Sequence, residues 1–329
     1  MNAATAPPKS APLVRAVDLR KSFPVRNGVF GRVSAWIPAV AGVTFDIARG
    51  ETLGLVGESG CGKTTVGRLL LRLIPPTSGR IEFDGTDLLE LDRTALRRMR
   101  RRMQIVFQDP YTALNPRLTV RSAIGEAVRL HHDVSGKGAG ERVDELLGMV
   151  GIAPSLAGRY PHEFSGGQRQ RIGIARSLAV SPEFLVYDEP ASALDVSVQA
   201  QILNLLLDLH ARLGLTALFI SHDLGVVRLM SDRVAVMYLG RIVETGEADA
   251  VFHDPLHPYT RALLAASPAG RGGVRRALAG EDPDAASPPP GCPFHPRCPD
   301  AVAECAGVLP PLEEKRPGRA AACIRVPRA

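Results

Sequence analysis

Hydrophobic and polar positions alternate in two different registers along this chain. Residues 13–50 alternate at period two and read as short strands, LVRAVDLR and then AVAGVTFDI. ETLGLVG (51–57) is a continuous apolar run that ends in glycine, the pattern of a buried strand. A helical period follows over 63–73, and strand-like runs recur at 81–84 and 104–107 (QIVF). Residues 119–151 read as helices around a Gly-rich polar loop, SGKGAGE. FLVYDEP (184–190) is a strand ending in carboxylates, and QAQILNLLLDLHARLG is an amphipathic helix. LTALFISHD is another strand, followed by a helix and the strand pair RVAVMYLGRIVETG. Strands that alternate with helices predict an α/β fold with a mostly parallel sheet covered on both faces. The pattern breaks near 270, where GRGGVRRALAGEDPDAASPPPG (270–291) is a linker by composition.

The strand ends carry the chemistry. GESGCGKT (57–64) lies between the ETLGLV strand and a helix, which is the P-loop arrangement. Its glycines let backbone N–H groups wrap a phosphate, Lys63 reaches the outer phosphates and the Thr64 hydroxyl ligates Mg²⁺. Asp188 closes a buried strand and suits the Mg²⁺ shell, and Glu189 after it suits a base for an attacking water. Gln108 and His222 also fall at strand C-termini, where open α/β sheets bind ligands. A second anion site is written at FSGGQRQR (164–171). Ser165 caps a helix there, and Gly166 and Gly167 leave N–H groups bare.

Composition narrows the class. The 329 residues hold one large domain with an appendage, or two domains. No run of 18 apolar residues predicts a membrane span, and MNAATAPPKSAP lacks the apolar core of a secretory signal, so a cytosolic chain is expected. A net charge of +6 suits nucleic acid or an anionic membrane face. The densest basic run, LRRMRRRMQ (96–104), has no interleaved aromatics and reads as a solvated helix face, so no nucleic-acid role is assigned.

In this order the motifs resemble one family. P-loop, strand-end Gln, SGGQ, hydrophobic-DE, SALD (192–195) and strand-end His together look like the nucleotide-binding subunit of an ATP-binding cassette (ABC) transporter, over about residues 13–268. The resemblance implies a RecA-like core, an antiparallel β subdomain and a helical subdomain at about 111–165, all within an ATP-binding domain of 1–250. It implies that the run Gly57, Glu58, Ser59, Gly60, Cys61, Gly62, Lys63, Thr64 and Thr65 holds ATP, with Mg²⁺ on Thr64, Gln108 and Asp188. Glu189, His222 and Gln108 would be catalytic. Ser165, Gly166, Gly167 and Gln168 would close on the ATP of a partner subunit, and Asp195 would communicate across that dimer. Phe23 would stack on adenine or, alternatively, belong to the core. The first signature position is Phe164 rather than the commoner Leu. Cys61 is expected to be a filler without a catalytic role, whose alkylation blocks ATP sterically.

Finer resemblance points to the oligopeptide/dipeptide permease ATPases. It is carried by GRLLLRLIPPTSG, QIVFQDPYTALNPRLTV, YPHEFSGGQRQRIGIARSLA, DVSVQAQILNLL and DPLHPYTRALLAASP, and FPVRNGVFGR resembles their F-type subunit. This implies a second, unlike ATPase, two permease subunits, an extracytoplasmic binding protein and a peripheral place on the cytoplasmic face of the inner membrane. YTALNPRLTV would face the permease. Relatives that move nickel or oligosaccharides leave the cargo open, and a soluble ABC ATPase is the rival class. The extension 251–329 ends in a tail, 292–323, with Cys292, Cys298, Cys305 and Cys323. Four thiols in 32 residues suggest a [4Fe–4S] cluster or zinc, although no CxxC knuckle is present and free thiols are the alternative.

Overall fold

The computed structural model describes residues 11–27, 32–109, 114–131, 137–266 and 286–328. The stretch 270–285 of the expected linker, Tyr111–Ala113 of the permease-facing segment, and the N-terminal leader 1–10 lie outside the described residues.

Strands β1 (Val14–Asn27) and β2 (Arg32–Ile47) form a long antiparallel hairpin. The extra residues after Phe23 lengthen both strands, so the hairpin runs well past the short strands expected from the alternation. β4 (Ser78–Phe83) and β5 (Thr86–Asp87) complete a four-stranded sheet in the order β2-β1-β4-β5. The second sheet has eight strands. β6 (Met103–Val106), β7 (Phe184–Asp188), β8 (Thr216–Ile220), β3 (Thr52–Val56) and β9 (Arg233–Tyr238) run parallel. β10 (Arg241–Glu247), β12 (Arg319–Ala321) and β11 (Glu313–Arg316) continue it antiparallel.

The helices are α1 (Lys63–Leu70), α2 (Arg93–Met99), α3 (Val120–His131), α4 (Lys137–Met149), α5 (Gly166–Leu178), α6 (Val196–Leu213), α7 (Leu224–Met230), α8 (Ala248–His253) and α9 (Pro258–Ala266). α4 overturns part of the expected Gly-rich loop, because KGAGE is helical. Gly138 and Gly140 each disfavour helix by about 1 kcal/mol. Burial of Ala139, Val143, Leu146 and Leu147 on the helix's inner face outweighs that cost.

Period-two alternation sorts the buried strands between two cores. Leu53, Leu55, Phe184, Val186, Leu218 and Ile220 face α1 and the small sheet. Val56, Leu185, Tyr187, Ala217 and Phe219 face α3–α6 and the C-terminal segment. The backbone turns from sheet to helix are therefore held from both sides, and the parallel strand ends form a rigid rim. The basic run 96–104 is only partly a solvated face. Arg100 donates to the carbonyls of Leu71 and Arg72, and Arg102 pairs with Glu183 and Asp84.

Candidate functional site

The P-loop leaves β3 at Val56 and enters α1 at Lys63. Two of its glycines are required by close backbone approach. At Gly57 (φ 154°) an added Cβ would stand 2.1 Å from the Met237 carbonyl oxygen. At Gly62 (φ 109°) it would stand 2.1 Å from that of Ala39. The loop is pressed between β9 and β2 and has no room for side chains on those faces. Lys63 is buried at 6% exposure. Its Nζ donates to the Gly57 and Glu58 carbonyls at 2.8 Å each. No carboxylate pairs with it among the described residues, so this buried cation is left for an anionic ligand. Cys61 is buried, and burial pushes its thiol pKa up, which slows the alkylation expected there.

Register explains how three distant residues meet. Val106 pairs with Tyr187, and Tyr187 with Phe219, across β6, β7 and β8. Two or three residues beyond these partners, Gln108, Glu189 and His222 reach the same level. Gln108 Nε2 donates to Glu189 Oε2 at 3.3 Å, and His222 Nδ1 lies 3.2 Å from the same oxygen. Glu189 itself has a positive φ of 51°. That left-handed conformation costs a non-glycine residue about 1–3 kcal/mol and is characteristic of functional sites. One residue earlier, Asp188 accepts a hydrogen bond from the Thr64 hydroxyl at 2.7 Å. Burial raises the Asp188 pKa, and the Thr64 hydrogen bond only partly opposes it. A buried carboxylate beside a hydroxyl, next to a phosphate loop, fits Mg²⁺, since both groups are hard oxygen donors.

The SGGQ segment forms a capping box. Gln168 N–H donates to Ser165 Oγ at 3.3 Å, and Ser165 N–H to Gln168 Oε1 at 3.0 Å. Ser165 is exposed, whereas Phe164 is buried and anchors the turn. A Cβ on Gly167 would meet Val198 Cγ1 at 2.4 Å, so α5 lies tightly against α6, whose N-cap is the exposed Asp195. Gln170 Nε2 donates to the Phe107 carbonyl at 3.2 Å, which ties α5 to the residue before Gln108. Phe23 is 39% exposed, with Lys21 Nζ 5.2 Å over its ring, so it is not a core residue. A groove of ≈ 320 Å³, lined by Ile105, Phe107, Ala127, Leu130, Gln170 and Arg176, opens beside β6.

Sequence reasoning missed the residues that grip Glu58 from the far end of the chain. Arg297 bonds its carboxylate and Tyr259 Oη accepts its N–H. They lie 239 and 201 positions away, and no local pattern marks them. The four tail cysteines border one small cavity of ≈ 10 Å³, together with His257 and His295. That is room for about one water. No group of three or more His, Cys, Asp or Glu among the described residues stands close enough to hold a metal ion. As placed, the thiols do not fit the expected cluster or zinc.

Comparisons with known proteins place the chain among its relatives. A family described as "ABC transporter" matches residues 40–192, and one described as "Oligopeptide/dipeptide transporter, C-terminal region" matches 243–305. The oligopeptide transport ATP-binding protein AppF of Bacillus subtilis (strain 168) is 52% identical over 312 residues, 93% of this chain and 95% of its own. The probable peptide ABC transporter ATP-binding protein y4tS of Sinorhizobium fredii is 52% identical, covering 96% of this chain and 91% of its own. A solved dimer of the ATP-binding cassette MJ0796, in a post-hydrolysis state with ADP and Pi, superposes with a TM-score of 0.64 at 29% identity. It covers 71% of this chain and 98% of that one. The structure of cbiO1 from Clostridium perfringens, part of the complex cbiONQ, gives a TM-score of 0.64 at 29% identity over 74% and 92%.

Proposed function

Because the chain belongs to the ATP-binding subunits of ABC transporters, we propose that it hydrolyses ATP to drive peptide import through a membrane permease. The observation that carries the chemistry is the convergence of Gln108 and His222 on Glu189, one residue from the Thr64–Asp188 contact. Peptide as cargo rests on the C-terminal region match and on relatives named for oligopeptide or peptide transport.

Gly57–Thr65 cradle the triphosphate, and Phe23 offers a ring to the adenine. Lys63 moves from the Gly57 and Glu58 carbonyls to the outer phosphates. Thr64, Asp188 and Gln108 hold Mg²⁺, which when bound offsets phosphate charge. Gln108 and His222 aim one Glu189 oxygen at the attacking water. Glu189 accepts the water proton while the oxygen attacks the γ-phosphorus and the bond to ADP breaks. His222 contacts the γ-phosphate. The exposed end of α5, with Ser165, Gly166, Gly167 and Gln168, closes on the ATP of a second, unlike ATPase, and Asp195 communicates across that dimer. The segment YTALNPRLTV, after Gln108, faces the permease. The complex is completed by two permease subunits and an extracytoplasmic binding protein, with this subunit peripheral at the cytoplasmic face. Among the described residues, no helix is long and apolar enough to cross a membrane. In this reading 1–250 is the ATP-binding domain, with its helical subdomain at about 111–165, and 251–329 is the permease-type extension.

The tail has a second reading. A [4Fe–4S] cluster or zinc shared by the four thiols would require the sulfurs to stand closer than they do, and four free thiols are the alternative. Iron, sulfide and zinc analysis after anaerobic purification decides it, and absence of all three ends it.

The mechanism is tested by ATPase assays on the purified chain and its complex. Lys63→Ala loses most ATP binding. Glu189→Gln binds ATP, accumulates a closed dimer and turns over at least about 100-fold more slowly. Parent-like turnover by Glu189→Gln would show that another group is the base.

A further inference from the structure

The C-terminal segment touches the phosphate loop at Glu58. Arg297 donates from both terminal nitrogens to the Glu58 carboxylate, at 3.0 and 3.1 Å. The Arg297 side chain is only 5% exposed. Burial acts to lower its pKa, but the hydrogen bonds to Glu58 and Tyr238 prevail and raise it. The Glu58 N–H donates to Tyr259 Oη at 3.0 Å, and its carbonyl accepts from Lys63 at 2.8 Å. One P-loop residue is therefore held at three points, two of them supplied from beyond residue 250.

The elements behind these contacts are rigid. Arg297 closes a 3₁₀ turn, His295–Arg297, that follows Phe294 and precedes Cys298. Phe294 is buried and meets Tyr238 and Tyr259 edge-on, with ring centroids 5.4 and 5.3 Å away. Tyr238 and Tyr259 meet each other at 4.5 Å. Tyr238 ends β9, the strand whose Met237 carbonyl backs Gly57. The aromatic trio thus joins the tail, α9 and the wall of the P-loop into one block.

An acidic side chain in a loop that must receive a polyanion is electrostatically costly unless it is neutralised. A bidentate guanidinium does that and fixes direction as well. We propose that Arg297 and Tyr259 are positioning residues for nucleotide binding, which hold Glu58 and cancel its charge so that the C-terminal segment sets the affinity of the P-loop for ATP. The inference rests on the ATP-binding reading of the P-loop and adds a control exerted on that loop from the other end of the chain.

The test is equilibrium ATP binding by the full chain without hydrolysis. Arg297→Ala leaves Glu58 charged and unpaired, and ATP binds about ten-fold more weakly. That loss shrinks as salt is raised toward about 1 M, where charges are screened within about 3 Å. Combining Arg297→Ala with Glu58→Gln removes both charges and brings the affinity back to within about three-fold of the parent. Arg297→Lys keeps charge without the fork and lies between parent and alanine variant. Should Arg297→Ala fail to fold, Arg297→Gln compared with Arg297→Gln plus Glu58→Gln gives the same contrast. Parent-like affinity of Arg297→Ala overturns the proposal. So does a double variant no tighter than the single, which would assign Arg297 to the fold of the tail. Lys63→Ala is the control: if it still binds ATP, the P-loop reading itself fails. If Lys63→Ala loses ATP while Arg297→Ala keeps it, only the present proposal falls.

Discussion

Gly62 shows how much a single residue decides here. Its φ of 109° and the Ala39 carbonyl, 2.1 Å from where a Cβ would sit, leave no place for a side chain. Gly62→Ala is expected to destabilise the fold by about 1–3 kcal/mol and to weaken ATP binding more than ten-fold. Thermal melts and ATP titration check this, and parent-like values in both would refute it. His257 makes a prediction about pH. It is 1% exposed, accepts the Tyr259 N–H at Nδ1, and burial pushes its pKa down to about 4. The unfolded chain then binds more protons between about pH 6.5 and 4, so stability falls as pH falls through that window, by about 3 kcal/mol in total. His257→Gln flattens this part of the pH–stability curve, and an unchanged slope would contradict the assignment. Residues of this kind were unevenly legible. Gly57, Lys63 and Asp188 sit in short motifs whose spacing states their chemistry. Nothing near His257 or Arg297 in sequence signals their partners, because those contacts exist only once distant segments pack.

At the scale of elements, the C-terminal segment is the main surprise. Its linker composition and cysteines suggested an appendage, yet β12 pairs with β10 and Ala322 N–H donates to the Val243 carbonyl at 2.8 Å. Three-residue strands carry too little alternation to be read from sequence. The anchor is Glu244, fully buried, which accepts from Leu256 N–H and His257 N–H at 2.8 Å each and from Arg319 at 3.4 Å. Glu244→Ala strands those donors, and about 3 kcal/mol of stability should go with it. Chemical denaturation measures the loss, and a change below about 0.5 kcal/mol would show the anchor to be dispensable. The parallel strands were legible because their runs are largely apolar. Helix α4 was only half legible, since its glycines signal a loop and its packing overrules them.

Among the described residues, the rim of strand ends is flanked by two exposed features. One is the outward-facing capping box at Ser165 with Asp195 beyond it. The other is the groove beside β6. The family was legible from six ordered motifs, whereas the cargo is named by no motif of this chain. What this subunit binds in the membrane decides its role most directly. The measurement is to tag it, extract membranes in detergent and identify what co-purifies in stoichiometric amount. Two permease subunits and a second, unlike cassette ATPase are the predicted result. Ribosomes, nucleic acid, or no membrane protein at all would contradict it and move the chain to the soluble ABC ATPases.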